Sequence, residues 1–145
     1  MMNPSRINVL LVDDQPALLR GLEILIDGES PRMAVVGKAA DRDAALRITA
    51  QAQPDVILLD LDLAGELSLD FLPELLCLSL ARVLIFTGVQ NRALHERALR
   101  DGACGVVQKE ESAEALLQAI VRAHQGRRGM RAGESASDPG ASGAE

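Results

Sequence analysis

The residues best suited to chemistry fall in four short groups: Asp13-Asp14, Asp60 with Asp62, Thr87, and Lys109. Each follows an apolar run of strand length. Residues 7–12 stop on Asp13-Asp14, 55–59 on Asp60, 82–86 on Thr87, and 105–108 on Lys109. Parallel strands, buried on both faces, read as unbroken hydrophobic runs. Ligand chemistry in such sheets lies beyond the carboxyl ends of the strands. If these strands are parallel, the four groups share one edge of the sheet. Taken singly, each has a structural reading. Asp13 or Asp14 can cap a helix, Asp60 and Asp62 can begin a loop, Thr87 is a strand former, and Lys109 can be a solvated end.

Together the residue types favour phosphoryl chemistry. Two unit charges about 4 Å apart interact by roughly 4 kcal/mol at an effective dielectric near 20. Clustered carboxylates therefore resist joint ionisation unless a cation offsets them. Mg2+ suits such a set, because it takes one or two carboxylates together with water and a phosphate oxygen. A carboxylate beside the ion can attack phosphorus and form an aspartyl-phosphate. Lys109 would then neutralise phosphoryl oxygens, and Thr87 would donate a hydrogen bond to one of them. Asp60 is the expected nucleophile, since it ends the most apolar strand, the one expected at the sheet centre.

The elements that must position these groups alternate. Strands are predicted from residues 7, 33, 56, 82 and 105, at intervals of 23–26 residues, with a helix after each. That alternation marks βαβ units, so the fold class is α/β: a doubly wound, five-stranded parallel sheet with helices on both faces. Pro16 is tolerated in a first helical turn, and Leu18, Leu22, Leu25 and Ile26 give that helix its inward stripe. The second strand ends on Gly37, and Asp41 caps the second helix. Residues 64–66 are read as a loop. A helix over 68–78 must start late or kink at Pro73. The helix over 91–101 turns Leu94, Ala98 and Leu99 inward, and the last helix, 112–125, stops at Gly126. These elements place a single domain at residues 1–126. Residues 127–145 hold no Val, Ile, Leu or Phe and are expected to be a disordered tail or linker.

Composition narrows the function further. The chain has 145 residues, two Phe, no Tyr and no Trp, and a net charge of −6. Its core must be aliphatic. Aromatic stacking on bases is excluded, and the acidity opposes direct nucleic-acid binding by this chain. Arg127, Arg128 and Arg131 are too few to form a nucleic-acid patch. The apolar run over 7–12 is too short for a signal peptide, and nothing approaches the ~20 apolar residues of a membrane span. The expected location is cytoplasmic, with no membrane partner. Cys77 and Cys104 have no metal-ligand spacing and are expected to be buried or half-buried thiols. His95 and His124 have no partner at ligand spacing and are expected at the surface.

The order and spacing of Asp13-Asp14, Asp60, Thr87-Gly88 and Lys109-Glu110, with the turn Gly102-Ala103-Cys104-Gly105, resemble the receiver domain of bacterial two-component response regulators. The resemblance covers about residues 6 to 126. Arg20-Gly21-Leu22 and Lys109-Glu110 look most like receivers that precede LuxR-type helix-turn-helix domains. It implies a flavodoxin-like strand order 2-1-3-4-5 and phosphorylation of Asp60 by a sensor histidine kinase. It further implies Mg2+ held by Asp14, Asp60 and the backbone carbonyl of Asp62, with Asp13 assisting through water. Thr87 and residue 106 would form the switch. The first helix and the loop after Lys109 would meet the kinase, and the fourth and fifth helices would carry output or homodimer contacts. The chain departs from the pattern at Ala64, where Pro is usual, in lacking Asp-Gly before the third helix, and at Val106, where an aromatic is common. A stand-alone receiver and a receiver ahead of a DNA-binding domain in transcription regulation both remain open.

Two other readings compete. Leu58-Leu59-Asp60-Leu61-Asp62 also resembles the nucleophile motif of haloacid-dehalogenase-like phosphatases, but those enzymes place their acidic pair after the lysine. The other competitor is a receiver-like interaction module that takes no phosphate. On the main reading the chain is not an enzyme; it is a phosphoacceptor that takes part in its own phosphoryl transfer.

Overall fold

The computed structural model describes residues 6–133, with side chains as far as Gly126. Five strands form one parallel sheet: β1 (Ile7–Val12), β2 (Met33–Ala39), β3 (Val56–Leu59), β6 (Arg82–Thr87) and β7 (Gly105–Gln108). Between β3 and β6 lies a small hairpin, β4 (Asp62–Leu63) and β5 (Glu66–Leu67). The sheet order is β2-β1-β3-β6-β7, with β3 at the centre. The flavodoxin-like order expected from the resemblance is therefore observed. Every residue of β3 is buried, as its unbroken apolar run requires.

Residue alternation along the strands builds two cores, one on each face. Leu10, Val12, Ile57, Leu59, Val83 and Ile85 pack beneath α2 (Arg42–Ala52), α3 (Leu72–Leu78) and α4 (Arg92–Arg100). Val9, Leu11, Val56, Leu58, Leu84 and Phe86 pack beneath α1 (Pro16–Asp27) and α5 (Ala113–Gly133). Helix α1 begins on Pro16, where a missing N–H costs nothing. The Asp41 side chain accepts the Ala44 N–H and caps α2. Gly37 lets α2 approach closely, since a Cβ there would lie 2.6 Å from Ile48 Cγ2. The strand does not end at Gly37 but runs on to Ala39, past a register shift between Val9 and Leu10.

Several expectations are corrected. Residues 64–66 are not an open loop: Ala64 and Gly65 (φ 52° and 83°) form a tight turn between β4 and β5. Positive φ at both central residues matches the right-handed twist of the paired strands. The helix over 68–78 does start late, as Pro73 requires. A 3-10 turn takes Ser68–Phe71, and α3 starts at Leu72, so Pro73 falls in a first turn that needs no N–H from it. Leu99 faces solvent, at 48% exposure, while Ala98 carries the packing of α4. Helix α5 passes through Gly126 to Gly133; each interior glycine costs about 1 kcal/mol, and the buried Leu116, Ile120 and Ala123 anchor the turns before them. The rest of the tail, 134–145, lies outside the described residues. Cys77 is exposed and Cys104 half-buried. His124 is buried and His95 half-buried, so neither is a surface residue. Among the described residues no helix is long and apolar enough to cross a membrane.

Candidate functional site

The carboxyl edge of the sheet gathers the acidic residues. The Asp13 N–H donates to the Ala39 carbonyl at 3.0 Å, and the Asp60 N–H donates to the Val12 carbonyl at 3.1 Å. The backbone ladder thus carries each aspartate to the same edge. Carboxylate oxygens of Asp13, Asp14 and Asp60 all lie within 4.8 Å of one another. Asp13 and Asp60 are buried, while Asp14 is exposed. One oxygen of Asp14, Oδ2, accepts the Ala64 N–H at 2.9 Å, tying the hairpin turn to the end of β1.

Lys109 completes the cluster from the end of β7. Its N–H donates to the Thr87 carbonyl at 2.9 Å, which fixes the two residues beside each other. Its ammonium lies 2.9 Å from Asp60 Oδ2 and 2.9 Å from Asp13 Oδ2. The contact with Asp60 is a hydrogen bond. The same ammonium is paired with Asp13 Oδ2, so one cation bridges the two buried carboxylates. Burial, the largest influence, holds the Asp13 carboxyl above its ordinary range, and the charge of Asp60 adds to it. Lys109 and the Gln15 N–H pull the other way. At Lys109, burial acts to lower the pKa, but the contacts with Asp13 and Asp60 outweigh it and hold the ammonium above its usual value. One cation among three carboxylates leaves an excess of negative charge. Together with the close approach of the three carboxylates, that makes the pocket able to hold a hard divalent ion.

The hairpin sets the direction of the Asp62 backbone. The Ser68 N–H donates to the Leu61 carbonyl at 2.8 Å, and Leu63 faces Glu66 across the turn. In an antiparallel ladder, bonded and non-bonded pairs alternate, so the intervening pair Asp62–Leu67 is the non-bonded one. The N–H of Asp62 accordingly points away from β5, and lies 3.4 Å from Asp60 Oδ1. In an extended residue the carbonyl points to the same side as the N–H, so the Asp62 carbonyl also faces the acidic pocket. Its side chain is exposed.

Thr87 is fully buried at the end of β6, and its Oγ1 accepts the Val89 N–H at 3.1 Å. Val106 is half-buried, opposite Ile85 in register, and packs against the core cluster on the α4 side of the sheet. The structure thus gathers Asp13, Asp14 and Asp60 into one cluster, with Lys109 in contact with Asp13 and Asp60. Thr87 stands beside them, and Val106 lies further back from the edge.

Sequence reasoning missed Ser68. This buried residue donates its hydroxyl to the Asp60 carbonyl at 2.5 Å and its N–H to Leu61, so it clamps the hairpin to the strand end that carries Asp60. Its only signal was a hydroxyl between Leu67 and Leu69. Ser68→Ala strips a partner from a buried carbonyl and is expected to cost about 1–3 kcal/mol, measurable as a lower urea midpoint.

Comparison with known proteins agrees with this arrangement. The response regulator receiver domain family matches residues 9–121. The nitrate/nitrite response regulator protein NarL of Escherichia coli (strain K12) is 34% identical over 127 residues, covering 87% of this chain and 58% of NarL. The chain thus spans little more than half the length of that curated relative. A two-component response regulator of the LuxR family from Aurantimonas sp. SI85-9A1 superposes with a TM-score of 0.78 at 35% identity, over 85% of this chain and 88% of that one. Protein-glutamate methylesterase/protein-glutamine glutaminase 2 of Cupriavidus pinatubonensis (strain JMP 134 / LMG 1197) is 38% identical over 110 residues, which are 74% of this chain but 31% of that protein. The acidic partners of Asp60 come from the end of β1, in the order of a receiver and not of a phosphatase. The chain belongs to the family of response regulator receiver domains of two-component signalling, and within it resembles the receivers of LuxR-family and NarL-like regulators.

Proposed function

We propose that Asp60 takes a phosphoryl group from the phosphohistidine of a sensor kinase. The observation that carries this reading is the Lys109 ammonium 2.9 Å from both Asp13 and Asp60, within a trio of aspartates. Asp60 Oδ2 is engaged by Lys109, whereas Oδ1 has only the long approach of the Asp62 N–H. Oδ1 is therefore the oxygen free to attack. As the new O–P bond forms, the N–P bond breaks and the imidazole of the donor leaves with the electron pair. Lys109 moves with the charge and pairs with a phosphoryl oxygen, and the Thr87 hydroxyl donates to another. Asp14, Asp60 and the Asp62 carbonyl would hold Mg2+, with Asp13 acting through water. Bound there, the ion would supply positive charge against the phosphoryl oxygens.

The chain consumes its phosphodonor without turning over a separate substrate, so it acts as a phosphoacceptor and not as an enzyme in its own right. Residues 1–126 are the receiver, and residues 127–145 a tail or linker. A DNA-binding output, working in the cytoplasm on transcription, is the assignment favoured by the NarL-like and LuxR-family relatives. A homodimer through the fourth and fifth helices would present two such domains. Nucleic acid would be met by that output and not by this acidic chain.

The test is incubation of the full chain with Mg2+ and acetyl phosphate, followed by intact-mass measurement. Wild type is expected to gain one phosphoryl group, and Asp60→Ala none. A wild type that gains nothing would leave the phosphate-independent interaction module as the better reading; an adduct that survives in Asp60→Ala would move the phosphoacceptor to another residue.

A further inference from the structure

The loop that follows Thr87 is held from its far side by a helix. The Val89 N–H donates to Thr87 Oγ1 at 3.1 Å, and the Val89 carbonyl accepts a hydrogen bond from His95 Nε2 at 2.7 Å. Both polar groups of one peptide residue are thus occupied, one by the buried hydroxyl at the site and one by α4. A carbonyl can only accept, so Nε2 carries the proton; the neutral tautomer and the imidazolium both satisfy this bond. His95 is half-buried while Asn91, Arg92, Ala93 and Glu96 around it are exposed, so its ring is turned in toward the loop. Gln90, next in the loop, donates to Glu110 Oε2 at 2.7 Å, beside Lys109. The side chain of Val106, which packs against the same core, has no polar atom and cannot hydrogen-bond with Thr87.

We infer that His95 is a positioning residue that links the Thr87 hydroxyl to α4 through the Val89 peptide. The inference rests on the phosphoacceptor reading of Asp60. When the Thr87 hydroxyl turns toward a phosphoryl oxygen, Val89 loses the acceptor of its N–H and keeps only the bond to His95. The peptide then swings about that remaining bond, and the displacement is delivered to α4. His95 thereby does two things. It holds the loop in the arrangement that occupies Thr87 Oγ1, and it couples departure from that arrangement to the helix.

The test uses the full chain, labelled with 15N, with Mg2+ and acetyl phosphate, and follows intact mass and 15N–1H spectra together. In wild type, phosphorylation is expected to move the His95 Nε2–H resonance along with the amides of residues 87–100. His95→Ala retains Asp60, Lys109 and the acidic trio and introduces a strong helix former. It is expected to take up the phosphoryl group about fivefold faster, the population change that losing one net hydrogen bond of the resting loop permits. Its amides over 92–100 are expected to lose their response to phosphorylation. His95→Gln, whose side-chain amide also donates, is expected to restore that response. A phosphorylated wild type whose His95 resonance stays in place overturns the inference, and so does an undiminished α4 response in His95→Ala. A wild type that shows no mass gain overturns the phosphoacceptor reading itself, and this inference with it, so the two failures are told apart by mass alone.

Discussion

Lys109→Met is expected to lose about 2–4 kcal/mol of stability in the presence of a chelator, and to slow phosphoryl uptake by roughly 100-fold or more. Among the described residues, this ammonium is the only cation drawn up against two carboxylates that are almost wholly buried, at 2.9 Å from each. Methionine keeps the bulk of the stem but leaves Asp13 and Asp60 as neighbouring like charges with little solvent to screen them. The side chain of Lys109 is itself 18% exposed, so the loss falls short of that for a fully enclosed pair. Urea unfolding in EDTA reads the stability term, and the rate of mass gain with acetyl phosphate reads the chemical one. Millimolar Mg2+ is expected to return part of the lost stability, because an ion bound only by the folded state stabilises it by mass action. A variant as stable as wild type in EDTA would show that the pair is offset by its own desolvation.

Asp14→Asn is expected to separate binding from folding. Asp14 is exposed, and its Oδ2 accepts the Ala64 N–H at 2.9 Å; the amide oxygen of asparagine can keep that bond. Stability in EDTA should therefore change by no more than about 0.5 kcal/mol. Removing a formal charge from the donor set is expected to weaken Mg2+ by roughly tenfold or more, since carboxylates are the preferred ligands of this ion. Phosphorylation would then require correspondingly higher Mg2+ for half its maximal rate. Measuring that rate across a Mg2+ series checks the shift, and an unchanged midpoint would remove Asp14 from the ligand set. Lys109 and Asp14 thus predict opposite signatures from neighbouring positions.

The contrast between what the sequence disclosed and what it hid follows from the range of the interactions. Asp13, Asp60, Thr87 and Lys109 were legible because each ends a strand-length apolar run, and parallel strands bring such ends together whatever the intervening loops do. The sheet order was legible only through the resemblance, since strand intervals fix the alternation and not the neighbours. The hairpin was hidden because Ala64-Gly65 lacks the usual Asn-Gly or Asp-Gly, and the flanking pairs Asp62-Leu63 and Glu66-Leu67 are too short to show a period. Gly126 misled because a glycine reads as a helix stop, while burial of Leu116, Ile120 and Ala123 lets the helix run on. His95 looked like a surface histidine because its partner is a backbone carbonyl, which carries no mark in sequence. Ser68 was hidden for the same reason.

The two cores on opposite faces of the sheet give the molecule a degree of insulation. Val9 and Leu11 serve one helix pair, whereas Leu10 and Val12, their immediate neighbours, serve the other three helices. Side chains on the two faces do not touch, so energetic effects on either side should add with little cross-talk. The packing beneath α1 and α5 can then change without disturbing the packing beneath α2, α3 and α4, so each face of the sheet can drift in sequence on its own.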